Sequence, residues 1–397
     1  VIMIIHFHYS PNPNSGEIRR IRNINNEICN IAKTKCIEVE FYSLRDRKQV
    51  KKTWRFNLTD NVVRKYYVPL VPFTGNSSFI QWICDLWTSI VILFIYLRHR
   101  PKIIVGEYST SCSAMKMKGL LNCKYITDMH GALPEEYTYN NLNIVQWRLD
   151  YITRLEALTS KKADYIICQS EEMKRHIVKK YSVNKERVFV YKCGVNTNIF
   201  KLEVDKKTVM RKQLGISDNS FVFVYAGGLM KWQKIEEALM IFADTHNIVD
   251  DCKFLILTRE VDTVELLLKQ LNLDYLSNDV IALASPFDKV SDYLNAADVA
   301  FLLRDDVVMN QVASPTKLAE YMACGLPVIS SKVAACWVEQ SMIEDNTIIC
   351  FEKGFNLKLL IYNVKNCNRE QIRQHAIHSF SLEIDSENIV RMYSCLK

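Results

Sequence analysis

The strongest constraint on this chain is the regular return of short apolar runs separated by helix-patterned stretches, from one end to the other. Runs at 1–7, 37–43, 102–106, 124–128, 164–169 and 187–191 are rich in Ile, Val, Phe and Tyr. They have strand length and are apolar enough to be buried on both faces. Helical patterns at 17–33, 79–98, 109–119, 142–160 and 171–181 lie between them. The scheme repeats with strands at 220–225, 253–258, 279–283, 298–303, 326–330 and 347–351, and helices at 235–246, 262–271 and 288–296. Alternation at this spacing predicts an α/β fold of parallel sheets covered by helices on both faces. Residues 45–78 carry no legible period and read as irregular.

A chain of 397 residues suggests two or three domains. The pattern lapses over 194–207, which sets the expected boundary: a first domain over 1–193 and a second over 194–375. A closing segment, 376–397, is expected to return to the first, with its helix at about 383–393. The formal charge of +7 suits anionic ligands or an acidic membrane surface, and is too diffuse to argue for nucleic acid. The 13 cysteines show no C-x-x-C pair and no matched spacings, so they read as buried reduced thiols in a cytosolic protein. The opening VIMIIHFHYS reads as a core strand rather than a signal peptide. Phe79 to Leu97 is long enough to span a bilayer, but Gln81 and Asp85 interrupt it. It is expected to be a buried or half-buried helix, and the basic cluster that follows it, Arg98 to Lys102, to touch a membrane surface.

The stretch SPTKLAEYMACGLPVISS, Ser314 to Ser331, reads as one short helix and one buried strand. Ser314 is expected to cap the helix, Pro315 to fill its first position, and Gly325 to end it. Leu318 with Met322, and Ala319 with Ala323, mark the core face; Thr316, Lys317 and Glu320 share another. A lysine in a first turn opposes the helix dipole, unless an anion sits between them. Lys317 is either a surface residue or part of a phosphate seat, with Glu320 placed one turn deeper to accept bonds from sugar hydroxyls.

Ligands of open parallel sheets bind beyond the carboxyl ends of the strands, and the polar oddities of this chain collect there. Asn14, Ser15 and Gly16, with Arg19 and Arg20, follow the first strand, and His130 follows strand 124–128. Gly227 and Gly228, with Lys231, Trp232 and Lys234, follow strand 220–225, and Arg304 follows strand 298–303. Lys234, Arg304 and Lys317 have the composition of a diphosphate clamp. There is no G-x-x-x-x-G-K-[ST], G-x-G-x-x-G or G-x-S-x-G motif. His6 and His8 alternate across a strand and suggest no shared metal.

SPTKLAEYMACGLPVIS, with LLRDD before it and YAGGLMKWQ upstream, resembles the glycosyl transferases group 1 family. ADYIICQSEEMKRHI, VYKCGVNTNIF and HSFSLEIDSENIVRMY extend the resemblance over nearly the whole chain. The family implies the GT-B fold, two facing Rossmann-like domains, and retaining transfer from a nucleotide sugar without a metal or other cofactor. By the same resemblance Glu320 is the ribose-binding glutamate and Lys234 the lysine on the donor diphosphate. Ser314, Thr316 and Lys317 form the phosphate turn, and Gly16 is the loop glycine beside donor and acceptor. Gly227, Gly228, Lys231 and Arg304 line the donor site. His130 is the histidine near the reacting centre, and is named with Asp128, Lys234 and Glu320 as the catalytic set.

Three departures stand out: Val312 occupies the place of a frequent acidic residue, Gly228 that of a frequent arginine, and the usually glycine-rich first loop has one glycine, Gly16. The expected function is a hexosyltransferase using a UDP-sugar, with a lipid-linked or glycan acceptor, in bacterial surface polysaccharide or glycolipid assembly. The expected location is cytoplasmic, peripheral at the inner membrane face. The alternatives are a nucleotide-sugar epimerase of the same fold and a non-catalytic nucleotide-sugar or glycan-binding relative.

Overall fold

The apolar runs assemble into two sheets, all of whose strands are parallel. The computed structural model describes residues 3–9, 20–21, 23–26, 35–42, 62–69, 77–141, 143–249, 251–352, 354–382 and 384–395. In the first sheet the strands are β1 (Met3–Tyr9), β2 (Lys35–Tyr42), β3 (Val62–Pro69), β4 (Ile103–Glu107), β5 (Lys124–Met129), β6 (Tyr165–Cys168) and β7 (Val188–Val190). Their order is β3-β2-β1-β4-β5-β6-β7. The second sheet holds β8 (Phe221–Ala226), β9 (Cys252–Leu257), β10 (Val280–Leu283), β11 (Val299–Leu302), β12 (Val328–Ser330) and β13 (Ile348–Cys350), in the order β10-β9-β8-β11-β12-β13. In each sheet the chain winds outward to one edge and then crosses to the other side of its first strand. This creates a switch point between β1 and β4, and another between β8 and β11.

β3 corrects the expectation that 45–78 is irregular. Its residues read as loop because charge interrupts the apolar run. Across the sheet that charge is neutralised: Lys65 Nζ lies 3.3 Å from Glu38 and 2.9 Å from Glu40 on β2. Pro69 is tolerated because β3 is an edge strand. Helices at Leu133–Asn140, Val204–Gln213 and Leu357–Asn366 also escape the pattern. In the second of these, the inward position is taken by Arg211, which donates to the Ala296, Asp218 and Ser220 carbonyls and to Asp298. Of the expected 17–33 helix, positions 20, 21 and 23–26 are helical; the rest lies outside the described residues.

The chain forms two units: residues 1–193, 312–314 and 385–397 in the first, residues 194–311 and 315–384 in the second. The return to the first unit therefore begins at Asp385, not at 376. The Arg369–Phe380 helix stays with the second unit, where Arg373 donates to the carbonyls of Phe200, Ala323 and Thr197. Ala376 and Phe380 join that unit's core. The first unit's core gathers Ile4, Ile103, Val105, Ile126 and Ile167 with Ile389, Met392 and Tyr393 of the Ser386–Ser394 helix. One face of the second sheet is an aromatic cluster, with Phe223 stacked on Phe301 at 5.1 Å. The other receives Leu318, Tyr321 and Met322 of the Thr316–Ala323 helix.

Candidate active site

The β8/β11 switch point gathers the polar side chains of the second unit. After β8 the backbone turns at Gly227 with φ +144°, a conformation that residues with a Cβ seldom adopt. The space a Cβ would need is already taken, since it would lie 2.1 Å from Lys317 Nζ. Lys317 reaches back from the first turn of its helix, lies 4.4 Å above the Tyr225 ring, and donates to Tyr225 Oη and Gln233 Oε1, both at 2.9 Å. Tyr321, one turn on, ties the helix to the same strand by accepting the Ala226 N–H at 2.8 Å. Glycine, lysine and tyrosine therefore fix where the amino end of this helix sits against β8.

Arg304 follows β11. It is buried, donates to the Leu303 carbonyl, and stacks its guanidinium 4.7 Å from the Trp232 ring. Trp232 and Gln233 belong to the single Lys231–Gln233 turn, so Arg304 and Lys317 are held by adjacent residues. Burial drives the Lys317 pKa well below its ordinary value, and the charge of Arg304 adds to this; Glu320 opposes both. Glu320, one helical turn inward, is itself buried. Lys234 adopts φ +52° and ion-pairs with Glu237 at 2.6 Å and Asp305 at 3.0 Å. It is thus tied to the residue beside Arg304. Lys231 is exposed, and Gly228 has Glu260 as its near neighbour.

Ser314 departs from its expected role. The helix is capped by Pro315 in an extended conformation, with no side-chain bond, and Thr316 is its first residue. Ser314 belongs to the first unit, where its Oγ accepts the Cys193 N–H at 3.0 Å. Because Ser314 is committed elsewhere, no side chain caps this helix. The leading N–H groups of an α-helix have no intrahelical acceptor. Val312 also lies with the first unit; its carbonyl accepts from Ser170 Oγ at 2.6 Å.

In the first unit the carboxyl ends of β1, β4 and β5 carry a buried ion network. Glu107 and Asp128 are register partners. Arg20 Nη1 donates to both Asp128 oxygens, at 2.6 and 2.5 Å, and Arg20 Nε donates to the Tyr191 carbonyl. His130 Nε2 is 3.2 Å from Glu107 and 3.8 Å from Asp128, and Nδ1 is 3.3 Å from Arg20. Burial alone would lower the His130 pKa, but Asp128 and Glu107 outweigh it and raise it to about 9. The two carboxylates thus favour the protonated ring, while Arg20, which can only donate, opposes it from the Nδ1 side. Asp128 is fully buried and its oxygens are spent on Arg20, so it is not presented to a ligand. Glu107, Asp128 and His130 offer ligand atoms within 4.8 Å of one another, but Arg20 already balances the charge there. Gly16 lies outside the described residues.

Two family models match in succession: Glycosyltransferase Family 4 over residues 27–199, and Glycosyl transferases group 1 over residues 220–355. The chain belongs to the glycosyl transferases group 1 family. Solved structures align with this glycosyltransferase over its full length at low identity. Sucrose-phosphate synthase from Thermosynechococcus elongatus is 15% identical with a TM-score of 0.76, covering 100% of this chain and 99% of its own. HepE from Anabaena, in complex with UDP and glucose, is 16% identical with a TM-score of 0.72, covering 99% and 100%. WaaG, a glycosyltransferase involved in lipopolysaccharide biosynthesis, is 14% identical with a TM-score of 0.64, covering 98% and 94%. These likenesses establish the GT-B fold. No curated protein matches the sequence.

Several residues of the candidate site carried little or no signal in the sequence. Tyr225 and Gln233 look like a strand residue and a turn residue, yet they hold Lys317. Glu107 reads as the end of a strand, and Arg20 as one polar residue among several. Each becomes a site residue only through a partner far away in the chain, such as Asp128 for Arg20. The one available hint is chemical: Glu107 and Asp128 are acids near the carboxyl ends of buried strands.

Proposed function

We propose that this glycosyltransferase takes a UDP-sugar as donor and transfers its hexosyl group, with retention, to a hydroxyl of a glycan or lipid-linked acceptor in surface polysaccharide or glycolipid assembly. The observation that carries the reading is two cations, the buried Arg304 and the half-buried Lys317, beside the uncapped amino end of the Thr316–Ala323 helix. Buried like charges are costly, and a diphosphate between them and the helix dipole offsets the cost. Thr316 joins the helix amino end at the phosphates. Glu320 accepts the ribose hydroxyls, and the missing Cβ at Gly227 makes room for Lys317 to stand at the phosphates. Lys234 can exchange a carboxylate partner for phosphate. Donor binding by HepE, whose complexes contain UDP and UDP-glucose, supports the same class of ligand.

In the transfer step the bond from the sugar's anomeric carbon to the diphosphate oxygen breaks as the bond to the acceptor oxygen forms on the same face. The acceptor proton passes to the departing phosphate. Charge gathers on that phosphate, where preorganised cations contribute most; losing one such group costs about a hundredfold or more in rate.

The test is a thermal-shift panel of UDP, ADP and GDP on wild type, Lys317→Ala and Glu320→Ala. UDP should raise the wild-type midpoint most, Lys317→Ala should lose the response to all three, and Glu320→Ala should weaken it. An unchanged UDP response in both variants refutes the assignment.

A further inference from the structure

The Ser78–His99 helix is turned inside out for a water-facing element. Between Phe79 and Leu97 its exposed residues are Phe79, Trp82, Leu86, Ile90, Leu93, Phe94 and Leu97, with Phe79 66% and Phe94 62% exposed. All are aliphatic or aromatic. The polar residues of the same helix face inward: Asp85 is buried and accepts from Gln81, Tyr151 and Lys116, and Thr88 is buried beside it. A helix on a soluble surface normally shows the reverse arrangement. By length and composition the helix can cross a bilayer. Its other side, however, is covered by protein through Val91, Ile92, Ile95 and Tyr96, so it lies along the first unit.

We infer that this face is a membrane-docking surface: the helix lies in the plane of an anionic bilayer with its apolar stripe in the interfacial layer. Four observations select that occupant. Positions 79, 82, 86, 90, 93 and 97 follow the 3.6-residue turn of a straight helix, about 27 Å of it. They do not follow the 3.5-residue repeat that seams two helices together. The charges at the edge of the stripe are cationic: Arg98, Arg100 and Lys102 are exposed at its carboxyl end, and Lys116 pairs with the buried Asp85 beside it. Leu120, 81% exposed, extends the apolar surface at that end, where Asn122 N–H donates to Tyr96 Oη. At the other end Phe79 stacks on Trp82 at 6.1 Å, and aromatic side chains of this kind favour the headgroup boundary. Apolar area and basic flank together make the signature of an interfacial helix.

The test is co-sedimentation of the full chain with phosphatidylcholine vesicles, with and without phosphatidylglycerol. Wild type should bind the anionic vesicles. Leu86→Glu with Phe94→Glu should lower the bound fraction about tenfold or more. Arg98→Gln with Arg100→Gln should weaken binding about fivefold per residue on anionic vesicles only. Brominated lipid should quench wild-type tryptophan fluorescence, and Trp82→Phe should remove that quenching while binding persists. Circular dichroism and the UDP thermal shift, which reports on the second unit, should be unchanged in every variant. Failure of the UDP response alone would therefore leave the docking result standing. Absence of wild-type binding, or binding indifferent to the Leu86 and Phe94 changes, overturns the inference. So does a stable wild-type dimer without lipid that these changes split.

Discussion

Gly227→Ala isolates the geometry on which the donor site rests. An alanine there must hold φ near +144°, a backbone cost on the order of 1–3 kcal/mol. Its Cβ would also lie 2.1 Å from Lys317 Nζ and 2.4 Å from Cε. The end of a lysine is flexible, so the clash is relieved by moving it away from Tyr225 Oη and Gln233 Oε1. Stability then falls by roughly the backbone cost. UDP affinity falls further, by about tenfold to a hundredfold, the worth of a displaced charge-assisted contact. Gly228→Ala is the control for stability: it lacks the positive φ, its nearest neighbour is Glu260 Oε1 at 3.3 Å, and stability should stay within about 0.5 kcal/mol. Urea denaturation and UDP calorimetry read the two effects separately. The reasoning is refuted if Gly227→Ala binds UDP as tightly as wild type, or if Gly228→Ala loses as much stability.

Lys317→Met should raise the thermal midpoint of the unliganded protein at pH 7 by a few degrees while abolishing the UDP response. The folded pKa of Lys317 is lowered, so its charged form costs stability below the unfolded value of about 10.4, and the difference between variant and wild type should shrink as pH approaches that value. Asp128→Asn leaves the buried Arg20 without its counter-ion and should cost about 3–5 kcal/mol in chemical denaturation; a loss below 1 kcal/mol would show that the network is not held by charge. His130 has a raised folded pKa, so its contribution is complete below about pH 6.5 and is lost as pH climbs through about 9. His6 shifts in the same direction, as Glu107 outweighs its burial. Thermal scans across this window should show a decline that His130→Gln flattens.

Much of the architecture was legible because burial on both faces of a parallel sheet demands continuous apolar runs, and such runs survive in composition alone. The Glu171–Tyr181 and Ile235–His246 helices lie at the residues their patterns mark, and Gly325 takes a positive φ just past the Thr316–Ala323 helix. β3 was illegible because its charges are neutralised only by Glu38 and Glu40 on the adjacent strand. The stretch 70–76, and Gly16 among the site candidates, fall outside the described residues.

The sequence by itself determined the fold class, the family, and the segments after the strands on which the candidate site's cations lie. Those properties depend on local period and local motif, both of which are written in neighbouring residues. Only the tertiary structure decided what each cation does. It gave Ser314 to Cys193 instead of the helix, set Lys317 against Tyr225 and Gln233, and turned Asp128 toward Arg20. It also turned the apolar side of the Ser78–His99 helix outward. The physical reason is common to all of these: a side chain's charge state and exposure are set by partners distant in the chain, brought near only when the sheets form.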